Sequence, residues 1–276
     1  MFLLDREALV KRPFSHSSLS SFEQCPAKYK FYYLEGIEKP HESVESFLGR
    51  RVHESLEFLY REVGDGKTLL FDHINDHFRN SWEMEWHEHI VIVDPKLKPR
   101  DYFQIGEQCL AWYFRTYRPF RESVEGIEME IVFKLADDDE FEMKGIIDRL
   151  DRKDGKLEIH DYKTSKRAMT QAAAGKNRQL ALYQIGVQNL YDDVKEVDLV
   201  WHFVRTGDTV RSRKSPQQID ELKTSIRGLV HKIEERVAKG GPFLPRPMPL
   251  CNWCYYWEEC PAKRGQNPFV KAGATT

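Results

Sequence analysis

Gly145-Ile-Ile-Asp148-Arg-Leu-Asp-Arg-Lys-Asp154-Gly155-Lys-Leu-Glu-Ile-His-Asp161-Tyr-Lys163 is the stretch from which the rest of the chain can be read. Asp-Gly between two strand-like runs is the favoured pair for a two-residue type I′ hairpin turn. That turn sets Lys153 opposite Lys156 and Arg152 opposite Leu157. Counting outward, Asp148 falls opposite Asp161, with α-carbons about 5 Å apart. Side chains alternate, so Ile146, Asp148, Leu150, Leu157, Ile159, Asp161 and Lys163 share one face. The other face holds Ile147, Arg149, Asp151, Glu158, His160 and Tyr162, and is the more polar. Two acids and a lysine therefore stand on the apolar face. Opposed like charges destabilise a sheet, and their burial costs several kcal/mol unless something compensates. A divalent cation between them would do so, and hard oxygen ligands point to Mg²⁺ or Mn²⁺ rather than zinc. The same residues could instead form a buried Lys163–Asp salt bridge with the second acid solvated. A one-residue slip of register would send one acid to the opposite face.

Around this hairpin the pattern is helices, strands, a helix, strands, a helix and a cysteine-rich tail. Ser20-Ser21-Phe22-Glu23 has the form of a capping box, and Pro26 kinks or restarts the helix it opens. Ser43 to Val63 is helical, with apolar residues from Phe47 to Tyr60 at three-to-four spacing, stopped by Gly64. Lys67–His89 and Pro99–Tyr117 read as two more helices. Glu128–Leu135, Phe141–Arg152 and Lys156–Lys163 read as strands, Gln171–Tyr191 as a helix, Val197–Arg205 and Thr209–Arg213 as a hairpin. Gln217–Lys239 is the last helix, and Pro242–Pro249 leads to the tail. The expectation is one domain over 1–276: N-terminal helices in 15–64, a helical region in 65–125, a sheet core in 126–214, and the last helix and tail in 215–276.

The 276 residues are 41% apolar and 31% charged, enough to bury a core. No apolar run reaches the roughly 20 residues of a membrane span. The opening residues lack a signal-peptide pattern, which places the expected protein inside the cell, in a reducing compartment. No Walker loop is present, so no ATP-driven motor is expected. Net charge is −2, yet five basic residues and no acid lie between Tyr162 and Tyr191, and Arg205, Arg211, Arg213 and Lys214 follow. A phosphate-binding groove needs one basic face rather than a basic protein, although such runs are often plain solvated surface.

Asp148 followed by Asp161-Tyr162-Lys163 resembles the D…(D/E)-x-K signature of PD-(D/E)XK nucleases. Gly49 followed by Arg50-Arg51-Val52-His53 resembles the helix bearing an additional histidine ligand in the RecB and Cas4 branches. Gln179-Leu-Ala-Leu-Tyr183 resembles their Q-x-x-x-Y motif, its two polar residues on one helical face. Each motif alone is weak; together, in this order, they are specific. The resemblance implies that His53, Asp148, Asp161 and the Tyr162 main-chain carbonyl bind Mg²⁺ or Mn²⁺. It further implies that Lys163 orients water and stabilises phosphate charge, and that Gln179 and Tyr183 position substrate or support the site. The implied fold is α/β, a restriction-endonuclease-like mixed sheet flanked by helices.

Of the five cysteines, Cys251, Cys254 and Cys260 lie in the tail and Cys25 far upstream; Cys-Pro-Ala-Lys occurs at both Cys25 and Cys260. In a reducing compartment a metal site is the better reading than disulfides, and spacing alone leaves zinc or an Fe–S cluster open. One early and three late cysteines resemble the iron-staple nucleases, which implies a [4Fe–4S] cluster joining the N-terminal helix to the tail. Trp253, Tyr255, Tyr256 and Trp257 would shield it. Cys109 reads as plain core. The activity implied is cleavage of DNA phosphodiesters, at single strands or ends, in repair, recombination or Cas4-like CRISPR adaptation, with a Cas1-like or helicase partner conceivable. Two readings compete: a non-catalytic DNA-end- or partner-binding subunit with an inherited fold, and a zinc-stapled binding module whose D-x-K is accidental.

Overall fold

The computed structural model describes residues 12–194 and 196–263. In chain order the elements are β1 (Phe14–Ser15), α1 (His16–Gln24), α2 (Pro26–Tyr29), a π-helical turn (Lys30–Leu34), β2 (Glu42–Ser43), α3 (Val44–Gly64), α4 (Phe71–Glu85) and β3 (Ile90–Val91). There follow α5 (Pro99–Tyr117), β4 (Val124–Phe133), β5 (Met143–Lys153), β6 (Lys156–Lys163), α6 (Gln171–Lys176), α7 (Gln179–Leu190), β7 (Val197–Phe203), β8 (Asp208–Arg213), α8 (Pro216–Ala238) and a 3₁₀ turn (Pro249–Trp253). The chain divides into two compact units. One comprises, in its described part, residues 12–41, 132–145 and 216–263; the other comprises 42–131 and 146–215.

The second unit carries the hairpin. Asp154 and Gly155 both have positive φ (50° and 76°), the backbone a type I′ turn demands. The register is the expected one: Lys153 faces Lys156, and Arg149 faces His160. β6 pairs in parallel with β7, Asp161 beside Trp201, and β7 pairs antiparallel with β8, so the sheet is mixed. Parallel neighbours require a crossover, and here it carries α6 and α7. The expected single helix over Gln171–Tyr191 is broken at Asn177–Arg178, and the Asn177 side chain accepts the Gln179 backbone N–H at 2.9 Å. α7 is buried from Leu180 to Val187 with no polar face, as befits a helix enclosed on all sides.

Helices α3, α4 and α5 pack around one apolar cluster of this unit. α3 starts at a Ser43 cap on the Ser46 N–H (3.2 Å) and buries Val44, Phe47, Leu48, Val52, Leu56, Leu59 and Tyr60. α4 buries Ile74, Phe78 and Trp82, and α5 buries Tyr102, Cys109, Leu110, Tyr113 and Phe114. Cys109 is core, as expected, and burial pushes its thiol up to about 12. The helices meet tightly at Gly106, where a β-carbon would lie 2.2 Å from the Phe78 ring and 3.0 Å from Leu48. α4 is shorter at both ends than the expected Lys67–His89, and β4 and β5 are each displaced from the expected bounds by a few residues.

In the first unit the helix start differs from expectation. The capping box is Ser15 with Ser18, so Ser20 to Glu23 lie inside α1; Pro26 restarts the chain as α2. Phe14 of β1 pairs in parallel with Met143. The tail lies against the N-terminal segment: Tyr256 donates to the Ile37 carbonyl (2.9 Å), Lys39 pairs with Glu258 and Glu259, and the Arg246 N–H reaches Cys25 Sγ at 3.5 Å. Cys25, Cys251, Cys254 and Cys260 all belong to this unit. Among the described residues, no helix is long and apolar enough to cross a membrane.

Candidate active site

All of the expected catalytic and divalent-metal residues fall in the second unit. The paired register ends at Arg149–His160, and Asp148 and Asp161 are the next residue of each strand, at the open end of the hairpin. His53 comes from α3, whose apolar stripe packs it into this unit, and Gln179 opens α7 directly after the crossover. His53 Nε2 lies 2.8 Å from the Tyr162 carbonyl oxygen. A carbonyl only accepts, so this nitrogen carries hydrogen. The other ring nitrogen, Nδ1, stands 3.4 Å from Asp148 Oδ2. The same Asp148 oxygen accepts the Tyr162 backbone N–H at 2.8 Å.

Asp161 sits in a different set of contacts. Lys163 Nζ lies 2.8 Å from Oδ1 and 2.7 Å from Oδ2, and Gln179 Nε2 donates to Oδ1 at 3.0 Å. Gln179 Oε1 in turn accepts from Lys163 at 3.2 Å, closing a triangle. The Lys163–Asp161 ion pair considered from sequence is therefore present, while Asp148 is held by His53 and the Tyr162 amide rather than by solvent alone. Burial, above all, raises the Asp161 carboxyl to about 6, with Lys163 opposing and Asp148 reinforcing the shift. Tyr183 is buried and hydrogen-bonded to Gln179; burial raises its phenol. The structure thus brings together all seven expected residues in two adjoining groups, His53–Asp148–Tyr162 and Asp161–Lys163–Gln179–Tyr183.

Glu128 of β4 is the residue that sequence reasoning missed. Its carboxylate, Asp148 and His53 place ligand atoms all within 4.8 Å of one another. Burial first, then the neighbouring Asp148 charge, raises the Glu128 carboxyl to about 7. The only trace in the sequence is a run of acids at 125, 128 and 130, from which nothing selects one.

The hairpin face read as polar is also buried. Arg149, 2% exposed, donates to Asp151 (2.9 Å), to the hydroxyls of Tyr113 (2.6 Å) and Tyr162 (3.1 Å), and lies over the Tyr60 ring at 4.2 Å. Its Nη2 is 3.2 Å from His160 Nδ1, and His202 Nε2 is 2.9 Å from that same nitrogen. Tyr117 reaches His202 Nδ1 at 2.9 Å. Burial, then the Arg149 charge, holds His160 well below the ordinary imidazole value.

No curated protein matches this chain. Among solved structures, a candidate exonuclease from Eubacterium rectale superposes with a TM-score of 0.51 at 15% identity, covering 94% of this chain and 90% of that one. A second solved chain, at a TM-score of 0.35 and 15% identity, covers 93% of this chain and 96% of its own. The first is a likeness of fold; the second supports no argument. The decisive match is to the family model of the PD-(D/E)XK nuclease superfamily, which runs over residues 13–261 and so includes every residue of the site described above. The chain belongs to the PD-(D/E)XK nuclease superfamily.

Proposed function

We propose that the protein is a metal-dependent deoxyribonuclease acting on single strands or DNA ends. The observation that carries this reading is the convergence of His53 with Asp148 beside the Asp161–Lys163–Gln179 triangle. An acceptor nitrogen facing a carboxylate suits a hard divalent cation, Mg²⁺ or Mn²⁺, held by His53 and Asp148. When bound, such a cation supplies Lewis acidity toward the phosphodiester. Hydrolysis adds water across a P–O bond; the family implies that the 3′ oxygen leaves and the phosphate stays on the 5′ side. Lys163 holds a positive charge at the end of β6 that would stabilise the extra negative charge of the transition state. Asp161 and Gln179 fix the lysine headgroup in place, and Tyr183 fixes Gln179.

A four-thiolate centre formed by Cys25, Cys251, Cys254 and Cys260, a [4Fe–4S] cluster in preference to zinc, is part of the same proposal. Its support is that the four residues share one unit, with the Arg246 N–H reaching Cys25 Sγ and the Met248 N–H reaching Cys251 Sγ. An intracellular location accords with such a centre.

The test is degradation of end-labelled single- and double-stranded DNA by anaerobically purified protein in Mn²⁺, Mg²⁺ or EDTA. Cleavage that requires the cation is the expected result, and the product ladder gives polarity. No cleavage of any substrate, with the fold intact, would favour the binding-subunit reading.

A further inference from the structure

The connector from α4 to α5, residues 86–98, is a loop with a built shape. Its strand β3 pairs in parallel with β2, Glu42 beside Ile90 and Ser43 beside Val91, directly ahead of α3. Ile90, Ile92 and Leu97 pack against the apolar cluster of α3, α4 and α5. The chain turns on Asp94, whose carboxylate accepts the Lys96 N–H at 3.1 Å; Asp101 of α5 accepts the Lys98 N–H at 2.7 Å. Pro95 and Pro99 fix φ beside these two turns. With the apolar side chains packed inward, Lys96, Lys98 and Arg100 are left exposed on a rigid frame.

A second basic segment meets the first. Lys166 Nζ lies 3.7 Å from Asp94 Oδ2, and Lys166 and Arg167 are both exposed. They belong to the loop that leaves β6, which runs past α3: a β-carbon on Gly49 would lie 3.5 Å from Thr164 Oγ1. Lys166 follows Lys163 by three positions, so their α-carbons are at most about 11 Å apart. Both segments lie in the second unit. Among the described residues, Lys96, Lys98, Arg100 and Arg167 have no ion-pair partner. On α3 and the turn after it, by contrast, Arg50, Arg51, Arg61 and Lys67 each pair with a glutamate. Like charges gathered on one frame repel one another, and a polyanion relieves that repulsion.

Building on the nuclease reading, we infer that this strip holds the sugar-phosphate backbone of the substrate strand beyond the end of β6. Lys96, Lys98, Arg100, Lys166 and Arg167 are the phosphate-contacting groups. Contacts of this kind fix position and carry no sequence information, so the strand is gripped whatever its bases. The helical region 65–125 thereby acquires a part in substrate binding through its connector. The basic run after Tyr162 is visible in the sequence; Lys96, Lys98 and Arg100 lie far outside it, and the fold sets them alongside.

The experiment is binding of a fluorescein-labelled oligothymidine to the full chain in EDTA, followed by anisotropy over a series of KCl concentrations. Lys96→Ala/Lys98→Ala/Arg100→Ala should weaken binding at least about tenfold at low salt, and lower the slope of log affinity against log salt by about 2. Lys166→Ala/Arg167→Ala should lower that slope by about 1.4. The control removes three exposed arginines near the other end of α5, Arg115→Ala/Arg118→Ala/Arg121→Ala. That end is about 27 Å away, well beyond the range of screened charge, and the control should stay within about threefold of the parent. Circular dichroism checks each fold. Parental affinity and slope in either strip variant, or an equal loss in the control, overturns the inference. So does a parent that binds no oligonucleotide. Cleavage in Mn²⁺ is scored separately: a parent that binds through the strip and cuts nothing defeats the nuclease reading alone. A parent that cuts, while the strip variants bind as it does, defeats the strip alone.

Discussion

On one face of the β5–β6 hairpin, Asp148 and Asp161 stand with Glu128, His53 and Lys163; on the other, Asp151 and Glu158 stand with His160, His202, Arg149 and Arg211. Asp151, Glu158 and His160 gather as closely as His53, Glu128 and Asp148 do, each trio within 4.8 Å. Distance alone would make both of them metal sites. Hydrogen accounting separates them. Arg149 can only donate, so the His160 nitrogen it faces must accept, and the hydrogen of that neutral ring sits on the nitrogen 3.0 Å from Asp151. Two guanidiniums already balance the two carboxylates there, Arg211 reaching Glu158 at 2.8 Å. The first face has three carboxylates against one lysine and a lone pair turned toward an oxygen. The lesson is that two trios equally close can differ in how their charges and ring nitrogens are partnered, which proximity alone does not reveal.

The largest expected effect breaks the first face. Asp161→Ala and Lys163→Ala should each lower cleavage of end-labelled DNA by roughly a thousandfold or more, with unchanged circular dichroism. Either variant retaining full activity would refute the catalytic assignment. Next, Arg149→Met breaks the second face by leaving Asp151, 3% exposed, without its charge partner. A loss of about 3–5 kcal/mol in urea unfolding is expected, with Mn²⁺ affinity retained in whatever fraction folds. A small stability loss would mean that the network is slack.

How far this contrast could be read from the sequence depends on the range of the interactions. Asp154-Gly155 set the turn and the pairing out to Arg149–His160, because a two-residue loop and a two-residue period leave no freedom. His53, Gln179 and Tyr183 were singled out by the resemblance of their segments to family motifs, and the fold sets them beside the hairpin acids. The burial of Arg149 and His160 could not be read, since it depends on which helix covers the sheet: Tyr60 of α3 and Tyr113 of α5 cap the guanidinium. Glu128 was hidden for a different reason. Its place beside His53 and Asp148 goes with a positive-φ backbone that strand patterning assumes absent. The break before Gln179 went unseen because Asn177 ends one helix and caps the next within a continuous helical pattern.

The smallest effect sharpens the comparison through pH. Burial holds His160 and His202 well below the ordinary imidazole value, so near and below pH 6.5 the unfolded chain binds more protons than the folded one. Their contribution is therefore present above about pH 6.5 and lost as the pH falls toward their lowered values. Glu128 and Asp161, raised to about 7 and about 6, act in the opposite sense: protonation in the folded state relieves them, and stability rises on acidification through that window. In EDTA the two faces oppose one another between pH 7 and 5. His202→Gln should flatten the acid-side loss, by at most about 1.4 kcal/mol per pH unit. Glu128→Gln should steepen it. Urea midpoints measured across that range would show both; equal slopes in all three proteins would mean that these groups do not titrate as described.

The parallel pairing of β6 with β7 has a consequence for the timing of synthesis. Tyr162 and His53 are 109 positions apart, and β6 gains its second neighbour only when the chain has been made through Phe203. Contacts of such long range form late, because the loop must close before anything rewards the closure. A chain emerging from its N-terminus therefore exposes His53 on a finished helix long before the carboxylates have a sheet to hold them. A nascent fragment that stops short of Val197–Phe203 lacks the strand that completes β6 on its far side.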